Sequence, residues 1–358
     1  MSDRIRSDDS DPGLARLTVD LGALRENYRR VADVGSRTAA VVKADAYGLG
    51  AVRVVEALCR EGCRDFFVAT ESEGIAVRAG TRDSNIFVFS GPPNDRSAAA
   101  MVRHALTPVL NDEKQLQRWR EHRETPVAVH VDTGMHRLGF DHAAVSRAMF
   151  DGFNVAVVLS HLACADDPAH PMNNLQADRF EAIRPLFPNA LGSLANSAGA
   201  LTGIESDMAR AGIALYGGNP FSTRPNPMLP VATLEALVVA LRTVPKGQPI
   251  GYGGTYTTPQ ATRIAVLGAG YADGIPRGLS PDARVAFRSH RLPVVGRVSM
   301  DLLHVDASGV EAGIALGDWV EVFGHTVGID ETAAWAGTIS YELLTRLGSR
   351  VQRFYTGQ

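Results

Sequence analysis

Lys43 stands near the end of an apolar run in AVVKADAYGLG, residues 40–50. Partial desolvation at such a place draws a lysine amine down toward nucleophilic use, and the amine can then condense with a carbonyl as an imine. A lysine at a strand end can equally snorkel to water, so Lys43 alone decides nothing. Asp132, Arg137, His161, Asn196, Ser197 and Arg210 lie at or just after other short apolar runs. Gly48 and Gly50 hint at a dinucleotide loop, but the third glycine is missing after Arg53 and no GxxxxGK[ST] phosphate loop occurs. Of the three cysteines, Cys59 and Cys63 are four apart on what reads as one helix face, and Cys164 is remote. No CxxC or HxxxH pairing supplies further zinc ligands, so reduced structural thiols and no metal are expected.

These residues need elements to converge them. From about residue 13 to 220, β-branched runs alternate with helical stretches, the texture of βα repetition. Eight runs read as strands: Ala39 to Ala44, Phe66 to Ala69, Ile86 to Phe89, Thr107 to Leu110, Val127 to Val131, Val155 to Leu159, Gly192 to Ala195 and Asp207 to Arg210. Between them, Val52, Val55 and Leu58 form one helical stripe; Leu21, Leu24, Tyr28 and Val31 form another, with Asp20 as its N-cap. Eight strands suggest a barrel, and in a parallel barrel the chemistry gathers where strands end and loops begin. Past the proline-rich stretch Pro220 to Pro227 the texture turns β-rich: Leu234 to Val244, Arg263 to Leu267, Arg284 to Phe287, Pro293 to Val298, Leu302 to Val305 and Trp319 to Phe323. The division expected is a loose N-terminus over 1–12, a (β/α)8 TIM-type barrel over 13–224, and a mostly-β C-terminal domain over 225–358.

Composition sets the outer bounds. The 358 residues are too many for one ordinary compact domain, and 45% hydrophobic with 21% charged residues supports a substantial core. A formal net charge of -3, with scattered cations, leaves no electrostatic footprint for nucleic acid or an anionic membrane. The polar opening MSDRIRSDDSDPG lacks the apolar core of a secretory signal, and no apolar run reaches the roughly 20 residues of a membrane span. A cytoplasmic protein acting on a small molecule is expected.

Eight segments taken in order, VVKADAYGLG, VDTGMHRLGF, SHLACADD, LANSAGAL, ARAGIALYGG, IGYGGTY, GAGYADGIPR and GRVSMD, resemble the motifs of the alanine racemases over nearly the whole chain. The resemblance implies a (β/α)8 barrel with pyridoxal phosphate at its mouth, a C-terminal β domain, and interconversion of L-alanine and D-alanine for peptidoglycan supply or alanine catabolism. Lys43 then looks like the imine lysine and the base on one face of the substrate. A planar carbanion needs a second base on its opposite face. In the family that base is the tyrosine of the GYG motif, here Tyr252, while nearby Tyr256 reads as an ordinary strand aromatic. A phenol with an unperturbed pKa near 10 is a poor base at neutral pH, and the resemblance gives it His161, set between that tyrosine and Arg210. Arg210 matches the arginine facing the pyridine nitrogen. Guanidinium donates but does not give up its proton, so the ring stays a weaker electron sink, which favours prompt reprotonation over transamination.

The resemblance also assigns the phosphate contacts to Tyr47, the Ser197 hydroxyl, the backbone N–H groups of Ser197, Gly212 and Ile213, and Tyr341. It assigns the substrate side to Arg137, the backbone N–H of Met300 and the entrance residue Tyr271, with Asp301 helping to position a neighbouring chain. One position departs: where the family often has a carboxylated lysine seven before the arginine, this chain has His130. A neutral imidazole accepts one hydrogen bond and cannot supply two oxygens. No carboxylated lysine is expected beside Arg137, and a bound anion, Asp132 or a looser hold remain open as its orienter. Because Lys43 lies in the barrel and Tyr252 in the β domain, the family pattern implies a head-to-tail homodimer in which each site takes its tyrosine from the partner. The alternatives are a decarboxylase or D-amino-acid aldolase on the same barrel, and a catalytically silent cofactor-binding protein. Decarboxylases of this fold favour an acidic partner for the ring nitrogen, whereas ARAG supplies arginine, and the presence of both Lys43 and Tyr252 counts against the silent protein.

Overall fold

The computed structural model describes residues 13–35, 37–279, 282–310 and 313–357; the loose terminus expected over 1–12 lies outside them. The described residues fall into two compact units: 24–228, and 13–23 together with 229–357.

In the first unit eight parallel strands follow one another around a sheet, Arg37–Val41, Asp65–Val68, Asn85–Val88, Thr107–Leu110, Val127–Asp132, Val155–Leu159, Leu191–Ser193 and Met208–Ala211, with the last pairing beside the first. All eight strand runs read from the sequence are present. Buried on both faces, they read as short continuous apolar runs and not as alternating ones. The seam closes through Ala195 and Asn196: the Arg210 N–H donates to the Ala195 carbonyl at 2.9 Å, and Asn196 bridges Arg210. A (β/α)8 barrel results, with Phe66, Phe67, Ile86, Leu110 and Val129 fully buried. Helix Ala51–Arg60 covers the sheet with Val54, Val55 and Leu58. It ends before Cys63, so the two cysteines do not share a helix face. Cys63 is instead buried over the Asp65 carbonyl at 3.4 Å, and burial pushes its thiol up to about 12.

The second unit is mostly β. Its organiser is the 13-residue strand Ala232–Val244, which pairs antiparallel with Thr262–Leu267, Trp319–Phe323 and Ala15–Asp20. Two register shifts bend it as it serves these neighbours. Strand Ala15–Asp20 alternates buried and half-buried residues, the pattern of a sheet covered on one face, and it also pairs parallel with Gln352–Thr356. It therefore belongs with the β unit and not with the barrel span 13–224. Asp20 caps the helix Leu21–Ala32 as read from the sequence, its Oδ1 accepting the Gly22 and Ala23 N–H groups at 2.8 and 3.0 Å. The proline-rich stretch stays with the barrel unit, held by the Arg30 guanidinium on the Pro227 carbonyl (2.7 Å) and the Asn226 amide on that of Gly217 (2.9 Å), so the division falls after Met228 and not after 224.

One strand differs from expectation. The run Pro293 to Val298 is not a strand; His290–Pro293 is, as the return arm of a hairpin on Arg284–Phe287. Beyond Pro293 only Val294 bridges Val305, and Gly296 turns the chain away with φ 70. Among the described residues no helix is long and apolar enough to cross a membrane.

Candidate active site

At the end of the first barrel strand the chain does something L-residues rarely do. Ala44, Asp45, Ala46 and Tyr47 hold φ values of 52, 54, 52 and 57, a left-handed helical turn that begins at Lys43 and passes into Gly48. Each non-glycine residue in that region costs about 1–2 kcal/mol through the clash of its Cβ with the following carbonyl. The turn is pinned along its length. The Ala44 N–H donates to Glu73 Oε1 at 2.9 Å, the Ala46 N–H to the Val42 carbonyl at 2.9 Å, and Asp45 Oδ1 accepts the Ala51 N–H at 2.7 Å. Glu73 is itself fixed by a capping box with Thr70 at the head of helix Glu71–Arg78.

The turn sets two side chains. The Lys43 ammonium lies 5.9 Å from the centre of the Phe89 ring, and burial, reinforced by the charge of Arg137, lowers its pKa against a smaller opposing pull from Glu73. Tyr47 stacks on Tyr216 at 4.5 Å between ring centres. Its hydroxyl reaches Gly212 so closely that a Cβ there would lie 2.7 Å from it.

Arg210, on the last barrel strand, is buried. Its Nη1 donates to the Ser193 carbonyl and hydroxyl, both at 2.6 Å; its Nη2 donates to the Ser160 carbonyl at 2.6 Å and to His161 Nδ1 at 3.2 Å. A guanidinium has five N–H donors, so one, on Nε, is left uncommitted among the described residues. Burial, with Arg137, lowers the Arg210 pKa to about 10, well above neutrality. Because arginine can only donate, His161 Nδ1 is the acceptor and its proton sits on Nε2. Burial and then Arg210 hold the His161 pKa well below its usual value, so the ring is neutral.

Ser197 opens the short helix Ser197–Leu201, capped by Asn196 Oδ1 on the Gly199 N–H at 2.9 Å. The Ser197 hydroxyl accepts from the Gly212 N–H at 2.8 Å and the Ala214 N–H at 3.4 Å, which fills its lone pairs and leaves its own proton to donate elsewhere. The Gly212 N–H, expected to face a phosphate, is thus taken by Ser197. The N–H groups of Ser197 and Ile213, each the first residue of a short helical turn, have no partner among the described residues. A hydroxyl proton and two amide protons gathered at one barrel end could hold a dianionic phosphate.

Arg137 follows the turn after Val127–Asp132. Asp132 does not orient it: Oδ1 accepts the backbone N–H groups of Gly134, Met135 and His136 at 2.8, 2.9 and 3.2 Å, so this carboxylate shapes the loop. Arg137 is exposed and makes no hydrogen bond or ion pair among the described residues, yet its charge bears on Lys43, His130, His161 and Arg210 alike. His130 is buried. Its Nδ1 meets Asn111 Oδ1 at 2.9 Å, and the Asn111 amide nitrogen donates to the Phe89 and Val109 carbonyls at 2.9 and 2.8 Å. That fixes the Asn111 oxygen toward His130, so the His130 proton is on Nδ1 and a lone pair remains on Nε2. Burial, then Arg210 and Arg137, lower the His130 pKa to about 4 and keep the ring neutral.

The β unit carries the remaining candidates. Tyr252 stands on the turn Tyr252–Gly254, between Gly251 (φ 69), Gly253 (φ 73) and Gly254 (φ 54), and is 71% exposed. Tyr256 packs beside Ile250, Ile264 and Val295, where burial and then Asp306 raise its pKa. Tyr271, Met300 and Tyr341 are exposed, and Asp301 pairs with Arg350 at 2.8 Å. Asn111, Ser193 and Glu73 were not among the sequence candidates. Asn111 directly follows a barrel strand, the position at which such residues are to be sought; the signature TESE, residues 70–73, marks Glu73 only as a helix cap.

The profile of the alanine racemase N-terminal domain matches residues 19–220, and that of the C-terminal domain matches residues 231–355. A catabolic alanine racemase of Agrobacterium fabrum is 44% identical over 357 residues, 95% of this chain and 91% of that protein. The biosynthetic alanine racemase of the same organism is 42% identical over 95% of this chain and 93% of that one. The crystal structure of alanine racemase from Bartonella henselae with covalently bound pyridoxal phosphate superimposes with a TM-score of 0.89 at 34% identity, over 96% of this chain and all of that one. A barrel and a β domain each matched by its own profile, in chains aligned nearly end to end, admit one assignment: the chain belongs to the alanine racemase family of isomerases.

Proposed function

We propose that the chain interconverts L-alanine and D-alanine with pyridoxal phosphate, using Lys43 and Tyr252 as opposed bases in a head-to-tail homodimer where Tyr252 comes from the partner chain. The observation that carries the reading is a partly buried amine among cations that outweigh their counter-charge: Lys43, lowered by burial and by an Arg137 that has no anionic partner among the described residues, against a smaller pull from Glu73, with Arg210 close enough to feel the same charge. Such a cluster calls for an anionic ligand. The donor set fits pyridoxal phosphate: Ser197 and Ile213 offer protons to a phosphate, Tyr47 closes over Gly212, and the one uncommitted N–H of Arg210 suits the lone pair of an unprotonated ring nitrogen.

When bound, pyridoxal phosphate supplies a covalent anchorage for amines and an electron sink that acidifies the substrate α-carbon. Lys43, its amine drawn down by burial, takes or returns the α-proton on one face. The Tyr252 phenol serves the other, and its exposure on a glycine-hinged turn leaves the hydroxyl free to be presented. Neutral His161, with its proton on Nε2, is suited to donate to that phenol oxygen while Arg210 holds its other nitrogen. Arg210, which can donate its Nε proton but not give it up, would hold the ring nitrogen of pyridoxal phosphate without protonating it, which would favour prompt reprotonation of the substrate. Arg137 and the Met300 N–H, which donates to no group among the described residues, take the substrate carboxylate. Three cysteines outside any disulfide agree with a reducing, cytoplasmic setting.

The test is incubation of the purified chain with each alanine enantiomer in deuterium oxide, followed by chiral separation and mass measurement. Both should reach the racemate with deuterium at the α-carbon; no exchange from either would refute the function. Borohydride reduction should fix the cofactor on Lys43. Coexpressed Lys43→Ala and Tyr252→Ala chains should recover activity that neither has alone, and no recovery would refute the shared site.

A further inference from the structure

Two loops of the β unit, Gly270–Asp273 and Ser299–Asp301, carry Tyr271 and Met300, and they are laced together. The Tyr271 N–H donates to the Ser299 carbonyl at 3.0 Å and the Ala272 N–H to that of Met300 at 2.9 Å. Their approach is so close that a Cβ on Gly270 would fall 2.4 Å from the Met300 oxygen. Arg350, just ahead of the last strand, grips both loops. Its Nε and Nη2 donate to the two carboxylate oxygens of Asp273, each at 3.0 Å, and its Nη1 donates to Asp301 Oδ1 at 2.8 Å. Asp273 is buried, and its Oδ2 also accepts the Gly270 N–H at 2.9 Å. A single planar fork therefore fixes one carboxylate on each loop, a geometry that a point charge on a flexible stem reproduces only in part. The arginine is half exposed, so its pairing adds little to overall stability. Its effect is on where the loops stand. Between them the Met300 carbonyl is held while the Met300 N–H stays uncommitted among the described residues.

We propose that Arg350 is a positioning residue that clamps Tyr271 and the Met300 N–H into one recognition element, setting both the hold on the substrate carboxylate and the size of side chain admitted. This rests on the function proposed above. Arg350 touches no reacting atom; it acts through Asp273 and Asp301.

The experiment compares holoenzymes of the wild type, Arg350→Gln and Arg350→Lys on alanine and on 2-aminobutyrate. A carboxylate contact made alike in ground and transition states affects KM and not kcat, and one charge-assisted hydrogen bond lost predicts about a tenfold rise in KM for Arg350→Gln. Preference for alanine over 2-aminobutyrate should fall in the same variant as Tyr271 loosens, and Arg350→Lys should recover part of both. If KM and preference stay at wild-type values while only the folded fraction or melting temperature drops, Arg350 is merely structural and the inference is overturned. Should Arg350→Gln fail to fold, Asp301→Asn, which severs one arm, must raise KM by a smaller factor; an unchanged KM there also overturns it. A wild type that does not racemise alanine refutes the underlying function, which separates that failure from this one.

Discussion

Replacing Ala44 with glycine should stabilise this protein, against the usual effect of that change in a helix. Ala44 sits at φ 52 and ψ 48 with its methyl exposed, so no cavity opens when the methyl is removed. Release of the left-handed clash contributes about 1–2 kcal/mol, and the extra freedom that glycine gives the unfolded chain takes back about 0.4–1 kcal/mol. The net by these two terms is a gain of roughly 0–1.6 kcal/mol, centred near 0.8. Ala99 is the matched control: also exposed, also in the barrel unit, but in the right-handed helix Asp95–Arg103, where Ala→Gly should cost about 1 kcal/mol. Equilibrium urea unfolding of both holoenzyme variants, followed through the buried Trp119 of the same unit, compares the two signs directly. If Ala44→Gly loses stability as Ala99→Gly does, the strain is not carried where the backbone places it. The same relaxation should lower kcat, because the turn that strains Ala44 is the one that aims Lys43 and Tyr47.

Acid should destabilise the folded chain through its neutral histidines. His130 titrates at about 4 when folded against an ordinary 6.5, so as pH falls through that window the unfolded chain takes up a proton that the folded one refuses. The stability lost reaches about 3 kcal/mol below pH 4, His161 acts in the same direction, and a His130→Gln variant whose urea midpoint falls as steeply between pH 7 and 5 would contradict the assignment. Tyr252→Phe should reduce racemisation about 10²–10⁴-fold, the range of a lost general acid–base group, whereas Tyr256→Phe should leave kcat near wild type; equal losses would mean the wrong tyrosine was chosen. Ser197→Ala should weaken retention of pyridoxal phosphate in equilibrium dialysis without changing the barrel's circular dichroism, and unaltered retention would remove Ser197 from the phosphate site.

Much of the fold was legible because parallel barrel strands are buried on both faces and so announce themselves as short apolar runs bounded by polar residues. Strand Ala15–Asp20 has an equally clear pattern, but alternation reveals a half-buried strand without naming its partners, and here they begin at Ala232 and Gln352. The site was legible as residue types at strand ends, and opaque in how they are held. KADAYG has no glycine among its first five residues, so propensity predicts right-handed backbone; contacts with Glu73, Val42 and Ala51 impose the left-handed turn, and those are tertiary. The tautomer of His130 depends on which way Asn111 faces, which depends in turn on two carbonyls, Val109 in the strand it follows and Phe89 just past the adjacent one. Arg350 gave no signal at all, being one exposed arginine near the end of a chain that has many.

The placement of Ala15–Asp20 also governs the order in which the chain can become complete during synthesis. This strand, whose Ala15, Leu17 and Val19 are buried, is made before both of its pairing partners, Ala232–Val244 and Gln352–Thr356. At about 5–20 residues per second the ribosome takes on the order of ten seconds or more to reach Ala232. The whole barrel is translated in that interval, as an insertion within the β unit. Until Ala232 is made, Ala15–Asp20 therefore lacks both of its strand partners while the barrel strands between them are completed. A fusion that pulls on Gln352–Thr356 should reopen the same edge in the finished molecule.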